Sequence, residues 1–431
     1  MQPRRAGRAS ATAAPAARRH RPDYLIVLFM GLLMLIGLIT MYAIGPQRAN
    51  VLNNAYGANY SDTYFFIKQA VSLAMAAVAF TAFALVPYSF IAKHAAKVCF
   101  AGIVACTLLL IAGNLLDIRA LVPETLGAHR WFSLGPLGSF QPAELLKFGV
   151  LLFLAGFLGM RYKQGEIDNM ERTIVPVGIV TLVAVVFIVL FQKDMGTGIS
   201  LAAILFAMLF ASHLKFEILG KIALVGAALA VMFILIAPHR MERVATFFSG
   251  DVVAGEEASG DAYHIKQARI AIGTGSVFGL GIGNSVQATG YLPEAINDSV
   301  FAILGETFGF VGLVAIMGLF LALLFRLLRT IDGLQDMGMR LVAAGVFGWM
   351  AAHVLLNIAA MTGLVPLTGI TLPLLSYGGT SMLFISAALG LVLQLSRFTS
   401  HSVTNKEIAD ENSRRWRGVG RTRNASRRRF S

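Results

Sequence analysis

The chain contains repeated runs of about twenty apolar residues without a single charge, and no other feature restricts its fold as strongly. Tyr24–Ile44 and Thr173–Phe191 are the clearest examples. Coiled as an α-helix, a run of that length matches the hydrocarbon thickness of a bilayer. Backbone groups in lipid must be satisfied internally, so these runs are read as membrane helices. A membrane barrel would instead show alternating segments of about ten residues, a pattern this sequence lacks. Composition agrees: 56% of the 431 residues are hydrophobic and only 14% charged, too few to cover a soluble core of this size.

The expected architecture is an all-α polytopic membrane protein of about ten spans. They fall near 23–44, 64–86, 96–116, 142–161, 173–192, 195–212, 216–237, 298–325, 339–362 and 378–396. The formal net charge is +13, unevenly spread. Six arginines precede Tyr24 and eight lie from Arg414 to Arg429. Lys93, Lys97, Arg161–Arg172, Lys215 and Arg326–Arg340 fall on the same side as these tails, whereas the opposite short loops carry few basic residues, such as Arg48 and Lys193. The positive-inside rule then places both termini in the cytoplasm, consistent with an even number of spans.

Three regions follow: a basic disordered tail over 1–22, a membrane domain over 23–398 and a second basic tail over 399–431. Tails of this kind set topology and touch anionic membrane lipids; nucleic-acid binding is the weaker reading, and no nucleic-acid partner is expected. Cys99 and Cys106 are two helical turns apart, too far for a disulfide within one helix, and are read as packing residues. The histidines are scattered and no metal-ligand cluster occurs. Two connections on the outer side are long, 117–141 and 238–297, and the second is Gly-rich with a helical stretch at Ala262–Gly273. Loops of this length usually carry function.

Polar residues at membrane-helix ends are costly and therefore informative. Glu144 and Lys147 share a helical face behind Pro142, either as a stapled helix end or as a polar patch facing an outer cavity. Asp194, in Gln192–Thr197, could cap the sixth span. The glycines from Gly273 to Gly283 follow no expected strand, which argues against a dinucleotide fingerprint and for a close-packed loop, whose exposed backbone N–H groups could also receive a pyrophosphate. Tyr291–Asp298 runs directly into the eighth span, so Asp298 is either a first-turn aspartate or a general base at the mouth of a cavity. Pro366–Ser381 breaks a hydrophobic region with Pro and Gly, as a re-entrant segment would.

Taken together these motifs resemble the SEDS family (shape, elongation, division and sporulation), which includes FtsW, RodA and SpoVE. Gly127–Trp131 through Phe140–Lys147, then Gln192–Thr197, Tyr291–Asp298 and Pro366–Ser381, are similar to four family signatures in the family's order. Gly283-Asn284-Ser285 followed by Tyr291–Ala295 leans toward the division branch, FtsW, over the elongation branch, RodA. Ala143, Lys193 and Ile296-Asn297 stand where family members often have Ser, Pro and His-Thr, which blurs fine substrate-contact assignments.

The resemblance implies an inverting peptidoglycan glycosyltransferase that polymerises lipid II, a disaccharide-pentapeptide on undecaprenyl pyrophosphate, at the outer face of the bacterial inner membrane. It maps the family's essential aspartate onto Asp298 and places Arg130, Trp131, Gln141, Glu144, Lys147, Asp194, Gln267, Glu294 and Ser376 at the substrate. Arg130, Lys147 and Arg243 are candidates for balancing diphosphate charge. A divalent cation, Mg or Mn, could assist, although no dedicated cage for one is visible. The implied partners are a class B penicillin-binding transpeptidase, divisome or elongasome proteins and membrane lipids. Two other functions compete: a lipid II flippase, which needs a polar path open to both faces, and a non-catalytic scaffold for the transpeptidase. The outward clustering of the polar residues favours the enzyme.

Overall fold

Proline, glycine and the reach of packed neighbours set where the helices begin and end. The computed structural model describes residues 21–125, 127–135, 138–249 and 260–399. Both basic tails lie almost wholly outside the described residues. Along the chain come α1 (Tyr24–Tyr56), α2 (Tyr64–Leu85), α3 (Tyr88–Leu110), β1 (Glu124–Thr125), β2 (Ala128–His129), β3 (Phe132–Ser133), β4 (Ser139–Phe140) and α4 (Pro142–Lys163). Next are α5 (Val175–Val185), α6 (Met195–Ala211), α7 (Phe216–Leu235), α8 (Pro238–Ser249) and α9 (Asp261–Thr274). The last three are α10 (Val300–Gly333), α11 (Met337–Met361) and α12 (Gly379–Leu395). Among the described residues nine helices, two of them with π-helical extensions, are long and apolar enough to cross a membrane, and α6 is a shorter apolar helix. All ten expected spans therefore have a helix.

Several boundaries differ from expectation. α1 continues well past residue 44 through Pro46 and stops where Gly57 adopts a left-handed φ of 64° and donates its N–H to Asn53 O. One proline removes one ladder bond, and the extension is held from outside: Gln47 Nε2 donates to Gly283 O at 3.0 Å. α3 starts at Tyr88 rather than near residue 96, directly after Pro87. Lys93 and Lys97 lie on its exposed face, where their alkyl stems can snorkel. The expected stretch Ala262–Gly273 is α9 almost residue for residue, whereas α8 was not expected. The strictly helical expectation also missed two hairpins, β1–β2 and β3–β4, because strands of two residues carry no readable period.

Small residues let the helices approach closely, the usual device where lipid removes the hydrophobic drive between them. A Cβ on Gly102 would lie 2.6 Å from Leu146 Cα, and one on Gly149 would lie 2.7 Å from Cys99 Cα, so α3 and α4 interlock and the cysteines are packing residues. Gly390 of α12 meets Phe80 O of α2 in the same way, at 2.2 Å. α4, α11 and α12 form the buried centre, while α7 is largely exposed. At one end, Asp23 caps α1, accepts from Arg326 Nε at 2.7 Å and donates its N–H to Ser396 Oγ at 3.0 Å. The start of α1 and the ends of α10 and α12 thus share one face of the bundle.

Candidate active site

The approach to Asp298 is a short irregular turn before α10. Glu294 adopts a φ of 49°, and its carbonyl accepts from Asn297 N at 2.9 Å and Ser299 N at 3.2 Å. Asn297 Nδ2 donates to Glu294 Oε2 at 2.5 Å. Ser299 Oγ donates to Pro293 O at 2.8 Å and lies 2.5 Å from His264 Nε2. The single hydroxyl proton is already used, so the ring nitrogen is the donor in that second contact. Burial holds His264 below the ordinary imidazole value, in keeping with a neutral ring.

Asn357 of α11 closes the base of the site. Its Nδ2 donates to Asp298 O and to Ile370 O, both at 2.7 Å. Tyr377 N donates to Ile296 O at 2.8 Å. The segment between α11 and α12 is therefore tied to the Asp298 turn directly through Tyr377 and indirectly through Asn357, as a re-entrant element lining a cavity would be. Within this frame Asp298 is half-buried, and its Oδ1 meets no donor among the described residues. Its pKa is pushed up to about 7, first by burial and then by the charge of Glu294; Arg243 and nearby backbone N–H groups oppose the shift.

Arg243 leads from the carboxylate to a basic cluster. It donates from Nη1 to Leu367 O at 3.2 Å and pairs through Nε with Asp261 Oδ2 at 3.0 Å. One turn earlier on α8, Arg240 donates to Phe233 O at 2.9 Å and Val189 O at 2.6 Å. Burial, then the positive charges of Arg130 and Arg243, hold the Arg240 guanidinium below its ordinary value, with Asp194 pulling the other way. Arg130 donates to Gln192 O and Lys193 O, both at 3.0 Å. Gln141 Nε2 donates to Asp194 Oδ2 at 3.0 Å, and Asp194 caps α6 through Thr197 N at 2.9 Å. A Cβ on Gly196 would lie 2.7 Å from Thr368 O, so the same re-entrant segment also covers the start of α6.

Arg130, Gln141 and Asp194 thus form one group, Glu294 and Asp298 another, and Arg240 and Arg243 lie between them. Trp131 follows Arg130 in the connection from β2 to β3 and is half-buried. Gln267 is half-buried on α9, one turn from His264. Arg240 was missed by sequence reasoning; its spacing of three from Arg243 on an otherwise amphipathic stretch was the available signal.

Three of the expected substrate contacts lie apart from these groups. Lys147 is fully buried, donating to Glu144 Oε1 at 2.7 Å and Ser200 Oγ at 3.3 Å. It also lies 4.3 Å from the centre of the Trp349 ring. Glu144 is buried with it, so this pair is enclosed by α4, α6 and α11 and does not face the open cluster. The cause is depth: Lys147 sits beyond the first turn of α4, where only a partner inside the bundle can satisfy it. Ser376 is also buried, and its hydroxyl accepts from Leu372 N at 2.9 Å to close a turn.

A polytopic helical bundle with a carboxylate–arginine site on one rim is the class that fold and geometry define. The family model for the cell cycle proteins FtsW, RodA and SpoVE matches residues 23–401, and the chain belongs to that family. Stage V sporulation protein E of Bacillus subtilis strain 168 is 33% identical over 385 residues, covering 89% of this chain and 99% of that one. A probable peptidoglycan glycosyltransferase FtsW of Aliivibrio salmonicida strain LFI1238 is 36% identical over 310 residues, with 71% and 75% covered. A solved structure described as showing structural coordination of polymerization and crosslinking by a peptidoglycan synthase complex superposes with a TM-score of 0.67 at 26% identity, covering 87% and 98%.

Proposed function

We propose that this chain is a peptidoglycan glycosyltransferase that polymerises lipid II, with Asp298 as general base. One observation carries the assignment of the base: a half-buried aspartate whose Oδ1 is buried without a hydrogen-bond partner among the described residues and whose pKa is near neutrality, which suits proton abstraction at physiological pH. Membership of a family whose relatives include named peptidoglycan glycosyltransferases supports the reaction class.

In this reading Asp298 takes the proton from the 4-hydroxyl of the GlcNAc on one lipid II. The oxygen bonds to the anomeric carbon of the growing strand, and the bond to polyprenyl pyrophosphate breaks on the opposite face with inversion. Arg130, Arg240 and Arg243 supply positive charge on the same rim for the leaving diphosphate. Among the described residues no three His, Cys, Asp or Glu side chains converge as a metal cage. Glu294 and Asp298 are the carboxylates that would hold a Mg or Mn ion, which would supply charge neutralisation beside the diphosphate.

The basic residues around Arg161, Lys163, Arg172, Lys215 and Arg340 support a cytoplasmic position for that face and for both tails, with Asp298 on the outer side of the inner membrane. The partner in this reading is a class B penicillin-binding transpeptidase within the division machinery. The neighbouring structure of a complex that couples polymerization to crosslinking supports it. Pairing and burial of Glu144 and Lys147 favour polymerisation over translocation, because a flippase path would need such groups open to the substrate.

Lipid II incubated with the purified protein and its transpeptidase is expected to yield long glycan strands, visible on gels. Asp298→Ala is expected to yield none; strands of normal length from that variant would sink the assignment.

A further inference from the structure

The glycine-rich stretch after α9 takes no part in the site just described, yet it is built into a break in α10. Gly309 interrupts that helix with φ 67° and ψ −169°. Ser276 O accepts from Phe310 N at 2.9 Å and Val277 O from Val311 N at 3.1 Å. In the other direction Leu280 N donates to Glu306 O at 2.9 Å and Gly281 N to Thr307 O at 3.1 Å. The stretch thereby takes up backbone groups that the interrupted helix leaves open. Glycine is required at the contact: a Cβ on Gly279, at φ 81°, would lie 2.2 Å from Thr307 O. Two side chains at the exposed end of the stretch take up two more carbonyls, Asn284 Nδ2 donating to Leu280 O at 2.9 Å and Gln47 Nε2 to Gly283 O at 3.0 Å.

The outer face is the reverse. Phe278 is 82% exposed, and Val277, Leu280 and Ile282 are exposed with it, alongside Phe310 and Val311 of α10. A loop bathed in water would leave its backbone to solvent and tuck Phe278 away. Polar backbone turned inward and apolar side chains outward is the arrangement that hydrocarbon demands. Depth follows from α10 itself. Its first charged residue toward the far end is Arg326. About twenty residues at 1.5 Å each cross a core of about 30 Å, so the hydrocarbon edge lies near Glu306. The loop bonded to Glu306–Val311 is level with the outermost turns of the apolar section.

We propose that Ser276–Gly283 is a re-entrant wedge seated in the acyl-chain boundary of the leaflet on the Asp298 side, with Val277, Phe278, Leu280 and Ile282 against lipid chains. Buried Glu306 joins the wedge to the catalytic turn. It accepts from Ser285 Oγ at 2.5 Å, Val286 N at 3.0 Å and Gln287 N at 3.3 Å, and so fixes the start of the segment that ends at Asp298. The wedge sets the height of that carboxylate relative to the membrane surface. Its insertion does not depend on the reaction assigned to Asp298.

The test is collision-based spin labelling of the full chain in vesicles of phosphatidylethanolamine and phosphatidylglycerol. Cys99→Ala and Cys106→Ala remove the native thiols, and labels are attached at Phe278→Cys and Ile282→Cys. Leu321→Cys, exposed on the middle of α10, is the lipid reference, and Thr125→Cys, exposed on β1, is the aqueous one. At both wedge positions oxygen is expected to collide several-fold more often than a nickel chelate, as at Leu321. Collisions ordered as at Thr125 would overturn the proposal, because the wedge would then lie in water. Low collision with both reagents would also overturn it, because protein would then cover the face. If Phe278→Cys does not reconstitute, Val277→Cys reports on the same face.

Discussion

Two ionisable centres occupy this bundle, and they are built in opposite ways. Around Asp298 the residue is half-buried, one carboxylate oxygen is buried without a donor among the described residues, and the flanking Glu294 is of like charge. Around Lys147 the ammonium is fully enclosed and meets an opposite charge, a hydroxyl and an aromatic face at once. The first arrangement leaves protonation undecided near neutral pH. The second sets opposite charges against each other, because an unpaired charge at that depth would be far costlier than the pair. The two centres thus differ in the sign of their neighbours and in depth rather than in complete satisfaction, because Glu144 Oε2, like Asp298 Oδ1, is buried without a hydrogen-bond partner among the described residues.

The largest expected effect is on the open centre. Asp298→Asn keeps the shape but cannot accept a proton, and polymerisation is expected to fall by about 10²- to 10⁴-fold, the range for loss of a general base. Stability should move the other way. The folded pKa is raised from 3.8 to about 7, so the native state holds a proton that the unfolded chain releases across that window. Stability from this group is therefore complete below about pH 4 and is lost as pH rises toward 7. The Asn variant escapes that loss, so at pH 8 its unfolding midpoint should exceed the wild-type midpoint. A lower midpoint would mean that the carboxylate is held by contacts rather than exposed to chemistry.

The enclosed centre should show the converse. Lys147→Met leaves Glu144 as an uncompensated buried charge, expected to cost about 3–5 kcal/mol. Glu144→Gln combined with Lys147→Met should recover most of it in thermal unfolding. If Lys147→Met keeps its stability yet loses polymerisation, the pair belongs to the reaction and the contrast between the two centres fails. A smaller effect is expected where they meet. Asn357→Ala removes the donor shared by Asp298 O and Ile370 O, and kcat should fall about tenfold with little change in KM, as for a slightly misplaced base. Equal loss in KM would point to general loosening of the re-entrant segment instead.

The two centres were not equally legible in the sequence. Apolar runs with few charges marked every membrane helix, because bilayer thickness imposes a length that composition alone can reveal. Asp298 stood out through its position between a polar loop and an apolar run. Lys147 was equally visible, but spacing shows only that it shares a face with Glu144, not what covers that face. Trp349, His353 and Asn357 recur every four residues within an apolar span and so mark one polar stripe on α11, a signal that was available and unused. The wedge against α10 could not be read at all. It depends on a break at Gly309 and on pairing between segments about thirty residues apart, and neither leaves a local period.

The smallest effect probes how the open centre is tuned. Burial is the larger cause of the raised Asp298 pKa and Glu294 the second. Glu294→Gln removes the neighbouring charge but leaves burial, so the ascending limb of kcat/KM against pH should move to lower pH by less than about one unit. The midpoint should remain well above 3.8, the ordinary value for an aspartate. With Asp298 as the proposed base the active form is the carboxylate, so wild type is expected to rise through about pH 7 and the variant to gain its advantage on the acid side of that midpoint. A profile measured across that range separates the two causes. A shift to higher pH would reverse the sign of the interaction and place Glu294 where it aids ionisation, for example by holding a cation against Asp298.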